Sequence, residues 1–295
     1  MRAAIIINPR SGLKKTHDTA DGTRLERAKR WAESAGVRAD IELTARSGHA
    51  EELAAKAVAA GVDRIVAWGG DGTVNEVAGA LFGTVAALGI VPGGSGDGLA
   101  RSLSLPRDPG AAMRIALTGK SKAIDVGWLA GRHFLNIAGI GFDAEVAHRF
   151  SRRLSRGTRG YLAESLSLVW SYACRTYRIK LTAGGQEFNG PHFVVAFANG
   201  REYGSGLVIA PDADPSDGLF DMVLVTGGSS VRQLWRSRRL AFRRMSPAEG
   251  VWRDRVKGAS IEGEHLCCHV DGEPFEAHGL VELRLEPAAL NVIVG

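Results

Sequence analysis

The densest chemical signal in the chain is the run Val66-Ala-Trp-Gly-Gly-Asp-Gly-Thr-Val-Asn-Glu-Val77. An apolar stretch ends in Gly69, Gly70, Asp71, Gly72 and Thr73, and a helix-like segment carrying Asn75 and Glu76 follows. Glycines at a strand-to-helix junction let the backbone turn tightly and come close to a phosphate group, while the helix N terminus offers N–H groups and a partial positive charge. Asp71 in such a loop suits a Mg2+ ion or a water beside that phosphate. The competing reading is an Asp-Gly turn capped by Thr73; the length of the string favours the chemical one. A second glycine-rich loop, Pro92–Ala100, presents Gly94, Ser95 and Gly96 at another helix entrance. Asn8-Pro9 and Ser11-Gly12 follow the first apolar run, where Asn8 can donate to a phosphate oxygen or hold its own loop. A simple Asn-Pro turn is the alternative there.

Acids supply the other half of a reaction. Asp271 and Glu273 stand two residues apart. On a strand both would point to one face, and a carboxylate so placed can take a proton from a hydroxyl. The alternative is an Asp-Gly turn with solvated acids. Asp97 and Asp125 are candidates to join Asp71 in a water or metal network. His49, after Ser47-Gly48, reads as a capping or packing residue rather than a base.

The elements that must hold these residues alternate over the first 124 positions. The sequence predicts strands at Ala3–Ile7, Arg38–Leu43, Arg64–Trp68 and Val85–Val91, and helices at Arg24–Ala35, Ala50–Ala60, Val74–Phe82, Leu99–Ser102 and from Pro109 to about Gly119. That order predicts a doubly wound α/β domain with a parallel sheet. From residue 125 the pattern changes to a hairpin around Ala130-Gly131, a helical stretch over Ala144–Thr176 and then short β-like runs, including Val256–Ile261, Leu266–Val270, Leu280–Leu285 and Leu290–Val294. This predicts an antiparallel sandwich or barrel over 125–295. The uncharged run Val77–Gly96 is nominally long enough to cross a bilayer, but its glycines and Pro92 make it a helix, turn, strand and loop.

Composition narrows the partners. Apolar residues at 45% and charged residues at 23% exclude wholesale disorder. Glycine is enriched, 38 of 295 residues, without the G-X-Y period of collagen. The net charge of +5 suits an anionic small molecule or lipid surface; no nucleic-acid-binding motif accompanies it. Two arginine-rich stretches, Arg149–Arg159 and Arg232–Arg244, read either as membrane-facing helix surfaces or as solvated ones. Leu162, Leu166, Val169, Trp170 and Ala173 share one helical face, core or lipid-pocket wall. Cys174, Cys267 and Cys268 lack C-x-x-C spacing and form no disulfide framework, which fits a cytoplasmic chain.

Taken in order, Asn8-Pro-Arg-Ser-Gly12, Thr44, Gly48-His-Ala50, Gly69–Glu76, Pro92–Ala100, Ile124-Asp-Val-Gly127, Gly139–Ala144, Asp217-Gly-Leu219 and Asp271-Gly-Glu273 resemble the diacylglycerol kinase catalytic family, soluble lipid kinases that include the sphingosine and ceramide kinases. The resemblance spans the whole chain, and of sandwich and barrel over 125–295 it implies the antiparallel β-sandwich. It implies an ATP-dependent lipid kinase with Mg2+, in which Asn8, Ser11, Gly12, Thr44, Gly69–Thr73, Asn75, Glu76 and Gly94–Gly96 bind nucleotide. It implies Glu273 as general base, with Asp71 the rival. It also implies a structural metal held by Asp217 and the backbone at Asp214 and Leu219. Asp97-Gly98 departs from the Asn-Asp of bacterial members and is closer to the sphingosine and ceramide kinase form, which leaves the acceptor open. A lipid at a membrane surface is the implied partner, at the inner face of the membrane; a homodimer is left open. NAD kinase shares the Gly-Gly-Asp-Gly-Thr string and is the alternative activity, and a nucleotide- or lipid-binding regulator without catalysis is the alternative of a different class.

Overall fold

The computed structural model describes residues 2–12, 18–19, 22–141, 177–203, 208–226 and 251–295. The helical stretch expected at Ala144–Thr176, both arginine-rich stretches and Cys174 lie outside them. The described chain forms two units. The first holds residues up to Val126 and takes back Pro287–Gly295; the second holds the described residues of 127–203 and 208–286. The return of the last residues to the first unit is a feature that a single division at 125 does not contain.

The first unit is built of β1 (Arg2–Ile7), the short β2 (Asp18–Thr19) and β3 (Gly22–Thr23), α1 (Arg24–Ser34), β4 (Arg38–Leu43), α2 (His49–Ala59), β5 (Arg64–Gly69), α3 (Asp71–Gly79), β6 (Ala87–Pro92), α4 (Gly98–Ser102) and α5 (Pro109–Thr118). Its sheet is parallel in the order β4-β1-β5-β6, with Ile7 opposite both Leu43 and Trp68. Ala3 to Ile7 are buried without alternation, as expected of a parallel strand covered on both faces. Ala28 and Ala32 of α1 and Met113 and Leu117 of α5 pack on the face formed by Ile5, Ile7, Val66 and Trp68. Local chemistry sets the helix starts. Thr23 and Glu26 form a reciprocal capping box on α1, and Asp108 caps α5 with Pro109 in its first turn. The run Val77–Gly96 divides as expected into the end of α3, turns, β6 and loop.

The second unit is antiparallel. It contains β8 (Arg132–Phe134), β9 (Ile137–Gly141), β10 (Tyr177–Ala183), β11 (Gln186–Ala198), β12 (Phe220–Thr226), β13 (Val251–Val256) and β14 (Gly258–Val270), with parts of β7 (Lys120–Leu129) and β15 (Glu273–Val294). The pairing runs β13-β12-β11-β10-β14-β15, and β9 joins β11 and β14. Phe134, Leu181, Phe197, Phe220, Ile261 and Leu266 fill its core, with Phe134 and Phe220 stacked at 5.3 Å. The expected hairpin is present: Ala130 and Gly131 take φ of 51° and 77° between β7 and β8, the left-handed pair of a tight two-residue turn.

Three expectations change in detail. Val256–Ile261 is two strands that meet at Lys257. Leu280–Leu285 and Leu290–Val294 are one continuous strand, β15, despite Pro287. Ala288 has φ of 54° there, and its N–H donates to Asp125 Oδ1 at 2.8 Å. The buried Asp125 carboxylate thus replaces a ladder partner where the chain re-enters the first unit. Finally, Asp271 and Glu273 do not share a strand face. Asp271 and Gly272, with φ of 49° and 86°, form the turn between β14 and β15, and only Glu273 belongs to the strand.

Asp271 is a structural residue. Its carboxylate accepts the N–H groups of Leu135, Asn136 and Ile137 at 2.8, 2.9 and 3.1 Å. Asp271→Ala strips the acceptor from three backbone donors. It is expected to destabilise the protein by about 2–4 kcal/mol, by analogy with a lost charged hydrogen-bond cluster, measured as a fall in urea midpoint at unchanged m-value.

Candidate active site

The first unit gathers three loops at the C-terminal ends of β1, β5 and β6. Part of their contact is backbone to backbone. Gly93 N–H donates to the Gly69 carbonyl at 2.8 Å. A Cβ on Gly94 would lie 2.8 Å from Gly70 Cα, and one on Gly69 would lie 2.5 Å from Thr73 Cβ. At Gly69 and Gly94 it is this close approach, not the backbone conformation, that requires glycine, since neither has a positive φ. No side chain caps α3, so the first-turn N–H groups keep the anion-binding character of a helix start.

Asp71 joins the two glycine loops. Its Oδ2 accepts from Asp97 N–H at 2.9 Å and its Oδ1 from Gly98 N–H at 2.7 Å. Asp97 in turn accepts the Gly94 N–H at 2.9 Å. Asp97 sits in the left-handed region at φ 52°, which an aspartate tolerates better than most side chains. Asp97 therefore shapes the second loop instead of joining Asp125, whose carboxylate serves Ala288. Burial pushes the Asp97 carboxyl above its ordinary range, against the opposing N–H groups of Gly94 and Gly93 and the charges of Arg101 and Arg107.

That shift has a definite sign. A raised pKa in the folded state means that the native protein binds a proton more tightly than the unfolded chain, so stability falls as pH rises through the window from about 4 to the raised value. Asp97→Asn keeps an acceptor for Gly94 and removes the charge. The stability of the variant relative to the wild type is expected to improve as pH rises through that window, measured by urea unfolding at a series of pH values. A flat difference contradicts it.

The first loop is held by a residue that sequence reasoning missed. The Arg24 guanidinium donates to the Asn8 carbonyl at 2.8 Å, to Ser11 Oγ at 2.7 Å and to the Ser11 carbonyl at 2.9 Å. It is 7% exposed and lies 5.5 Å from the Trp68 ring centroid. Burial is the largest influence lowering its pKa. The signal was present as spacing: Arg24 continues the Ala28 and Ala32 stripe of α1 at i−4 and i−8.

The expected nucleotide residues divide into those that frame the loops and those that face outward. Asn8 Nδ2 donates to Thr73 Oγ1 at 3.0 Å, and Ser11 Oγ donates to the Asn8 carbonyl at 3.0 Å. Glu76 accepts from Gly48 N–H at 2.8 Å and Ala50 N–H at 3.1 Å, which ties α3 to the start of α2. Thr44 directly follows β4 and donates its N–H to the Ile7 carbonyl at 2.9 Å. His49 Nδ1 accepts the Ala45 N–H at 3.0 Å, a local loop role. Ser95 is exposed, Gly12 has φ of 85°, and Asn75 is half-buried on α3. The Gly96 carbonyl accepts from Arg101 Nε at 2.9 Å.

In the second unit Glu273 opens β15 opposite Val270 and is exposed. Among the described residues its carboxylate has no hydrogen-bond partner, in contrast to Asp271. The expected metal set is differently engaged. Asp217 Oδ1 accepts Leu219 N–H at 3.0 Å, and Asp217 Oδ2 is bound by the Arg255 guanidinium. The Asp214 carbonyl accepts Asp217 N–H at 3.3 Å, and its carboxylate is turned to Ser216. A guanidinium on the one carboxylate of the set does not fit a cation there. The Asp71 carboxylate, an oxygen donor at the junction of the two glycine loops, has the chemistry that suits Mg2+.

No described helix is long and apolar enough to cross a membrane. The diacylglycerol kinase catalytic domain model matches residues 2–129, and the YegS C-terminal NAD kinase beta sandwich-like domain model matches 136–294. A Chromohalobacter salexigens protein named "Probable lipid kinase YegS-like" is 34% identical over 265 residues, covering 87% of this chain and 84% of that one. A Mycobacterium tuberculosis "Diacylglycerol kinase" is 32% identical over 261 residues, covering 86% and 84%. A crystal structure of a diacylglycerol kinase from Bacillus anthracis shares the fold, with a TM-score of 0.75 at 21% identity over 100% of this chain and 97% of that one. With an α/β unit of glycine-lined loops followed by an antiparallel β-sandwich, the chain belongs to the diacylglycerol kinase and YegS-like family of lipid kinases, phosphotransferases with an alcohol as acceptor.

Proposed function

We propose that this chain transfers the γ-phosphoryl group of ATP to the hydroxyl of diacylglycerol or a related long-chain lipid alcohol. The observation that carries the nucleotide half is the mutual bracing of the two glycine loops through Asp71. Backbone N–H groups along Gly69–Thr73 and at Ser95 and Gly96 hold the phosphates, Gly94 giving its own N–H to Asp97, and Asn8, Ser11 and Thr73 keep the loops in place. Thr44, Asn75 and Glu76 border the same loops. Asp71 would hold Mg2+, which would supply positive charge against the phosphates.

Phosphoryl transfer asks little covalent work of a protein, so positioning and electrostatics dominate. The acceptor oxygen bonds the γ-phosphorus as the bond to the β–γ bridging oxygen breaks, giving ADP and a phosphate monoester. Glu273 takes the hydroxyl proton. Its exposure and unengaged carboxylate support this role, whereas Asp71 has both oxygens committed to backbone donors. Asp71 is therefore read as a positioning residue.

Labelled ATP incubated with diacylglycerol vesicles, a total lipid extract and NAD in parallel separates the readings. Labelled phosphatidic acid, or one labelled lipid from the extract, supports the proposal. Label on NAD alone assigns NAD kinase, and bound ATP without turnover on any acceptor assigns a binding regulator.

A further inference from the structure

The outward face of the β14–β15 hairpin carries a cluster that phosphoryl transfer does not use. Leu266 and Cys268 of β14 lie in the core, and Phe275 and Ala277 of β15 pack against it, so the alternate residues His265, Cys267, Glu276 and His278 share the opposite face. Cys267 stands opposite Glu276 in register. Between Gly263 and Leu266 the register shifts, so that Glu264 and His265 together face His278. This bulge brings the two imidazole rings to 5.3 Å.

The ligand atoms of His265, Glu276 and His278 all lie within 4.8 Å of one another, and Cys267 Sγ is 3.7 Å from His265 Nε2. His278 Nδ1 lies 2.8 Å from the Glu264 carbonyl, which can only accept. Nδ1 is therefore protonated, and Nε2 carries the lone pair. An imidazole oriented by a carbonyl on its other nitrogen is the usual arrangement behind a metal ligand.

We propose that this face binds one zinc-class divalent ion through His265 Nε2, Cys267 Sγ, the Glu276 carboxylate and His278 Nε2. Two imidazoles, a thiolate and a carboxylate make a nitrogen, sulfur and oxygen donor set that suits Zn2+ and its neighbours rather than the all-oxygen shell of Mg2+ or Ca2+. On binding, the Cys267 thiol releases its proton to solvent and the sulfur bonds the metal as thiolate. Ligands at ~2.0–2.3 Å in a tetrahedron stand ~3.3–3.8 Å apart. The ion then cross-links β14 and β15 at the bulge, where their ladder is interrupted.

Full-length protein without a polyhistidine tag, stripped by chelator and kept in excess Mg2+ to occupy oxygen sites, is titrated with Co2+ and then Zn2+. The expected result is one Co2+ per chain, a near-ultraviolet thiolate-to-cobalt band, and displacement by one equivalent of Zn2+. Cys267→Ser removes that band. The His265→Ala/His278→Ala double variant weakens binding by at least ~10-fold, the scale at which even a ligand's hydrogen-bond partner matters. Matching thermal unfolding of the metal-free variants shows that they fold. A wild type that takes up no stoichiometric Co2+, a band that survives Cys267→Ser, or equal affinity in the double variant overturns the proposal.

Discussion

Glu273→Gln is expected to lower kcat on the lipid acceptor by about 10²–10⁴-fold, the usual contribution of a positioned general base. Glutamine matches glutamate in size, and Glu273 is exposed with no described partner, so neither the unfolding midpoint nor the KM for ATP should move. The loss should sit in the chemical step alone. A variant with wild-type kcat removes Glu273 from the reaction. A variant that is inactive and also unfolded assigns it to the hairpin instead.

Asp71→Asn is expected to behave differently, although its activity also collapses. The amide can accept one of the two N–H groups of Asp97 and Gly98, and its NH2 group opposes the other. The two glycine loops then lose their common anchor. Displacing a substrate by about 1 Å can cost 10²-fold in rate, and the lost charged hydrogen bond about 1.5–3 kcal/mol. Both kcat and the KM for ATP should worsen, with a lower thermal midpoint. This pattern distinguishes an anchor from a base: a base lost at Asp71 leaves ATP binding and stability intact. An Asp71→Asn enzyme with unchanged KM and melting temperature, and with only kcat reduced, reverses the assignment made here.

The contrast between the two acids shows why similar carboxylates do different work. Asp71, Asp125 and Asp271 each spend their oxygens on backbone N–H groups: at a loop junction, at a chain re-entry and at a hairpin turn. A carboxylate meets such donors better than any neutral side chain. Each therefore fixes a stretch of backbone that regular ladder pairing leaves open. Glu273, one residue beyond its turn, has no such task.

Sequence alone determined what depends on neighbours along the chain. Uninterrupted apolar runs marked the buried parallel strands, Pro109 marked a helix start, and Ala130-Gly131 marked a hairpin, because burial pattern, helix-start chemistry and turn conformation are local properties. The glycine loops and the family resemblance were legible for the same reason. Tertiary structure decided where distant segments meet. Nothing local reveals that Asp71 accepts from Asp97 and Gly98, that Arg24 lies beneath Asn8 and Ser11, or that Arg255 occupies Asp217. Spacing suggested one strand face for Asp271 and Glu273, but a left-handed pair of residues overrode it, since a hairpin register is set by its turn and by the opposing strand. The cluster of His265, Cys267, Glu276 and His278 was hidden likewise: it exists only because a bulge brings two strands into a register that neither sequence states by itself.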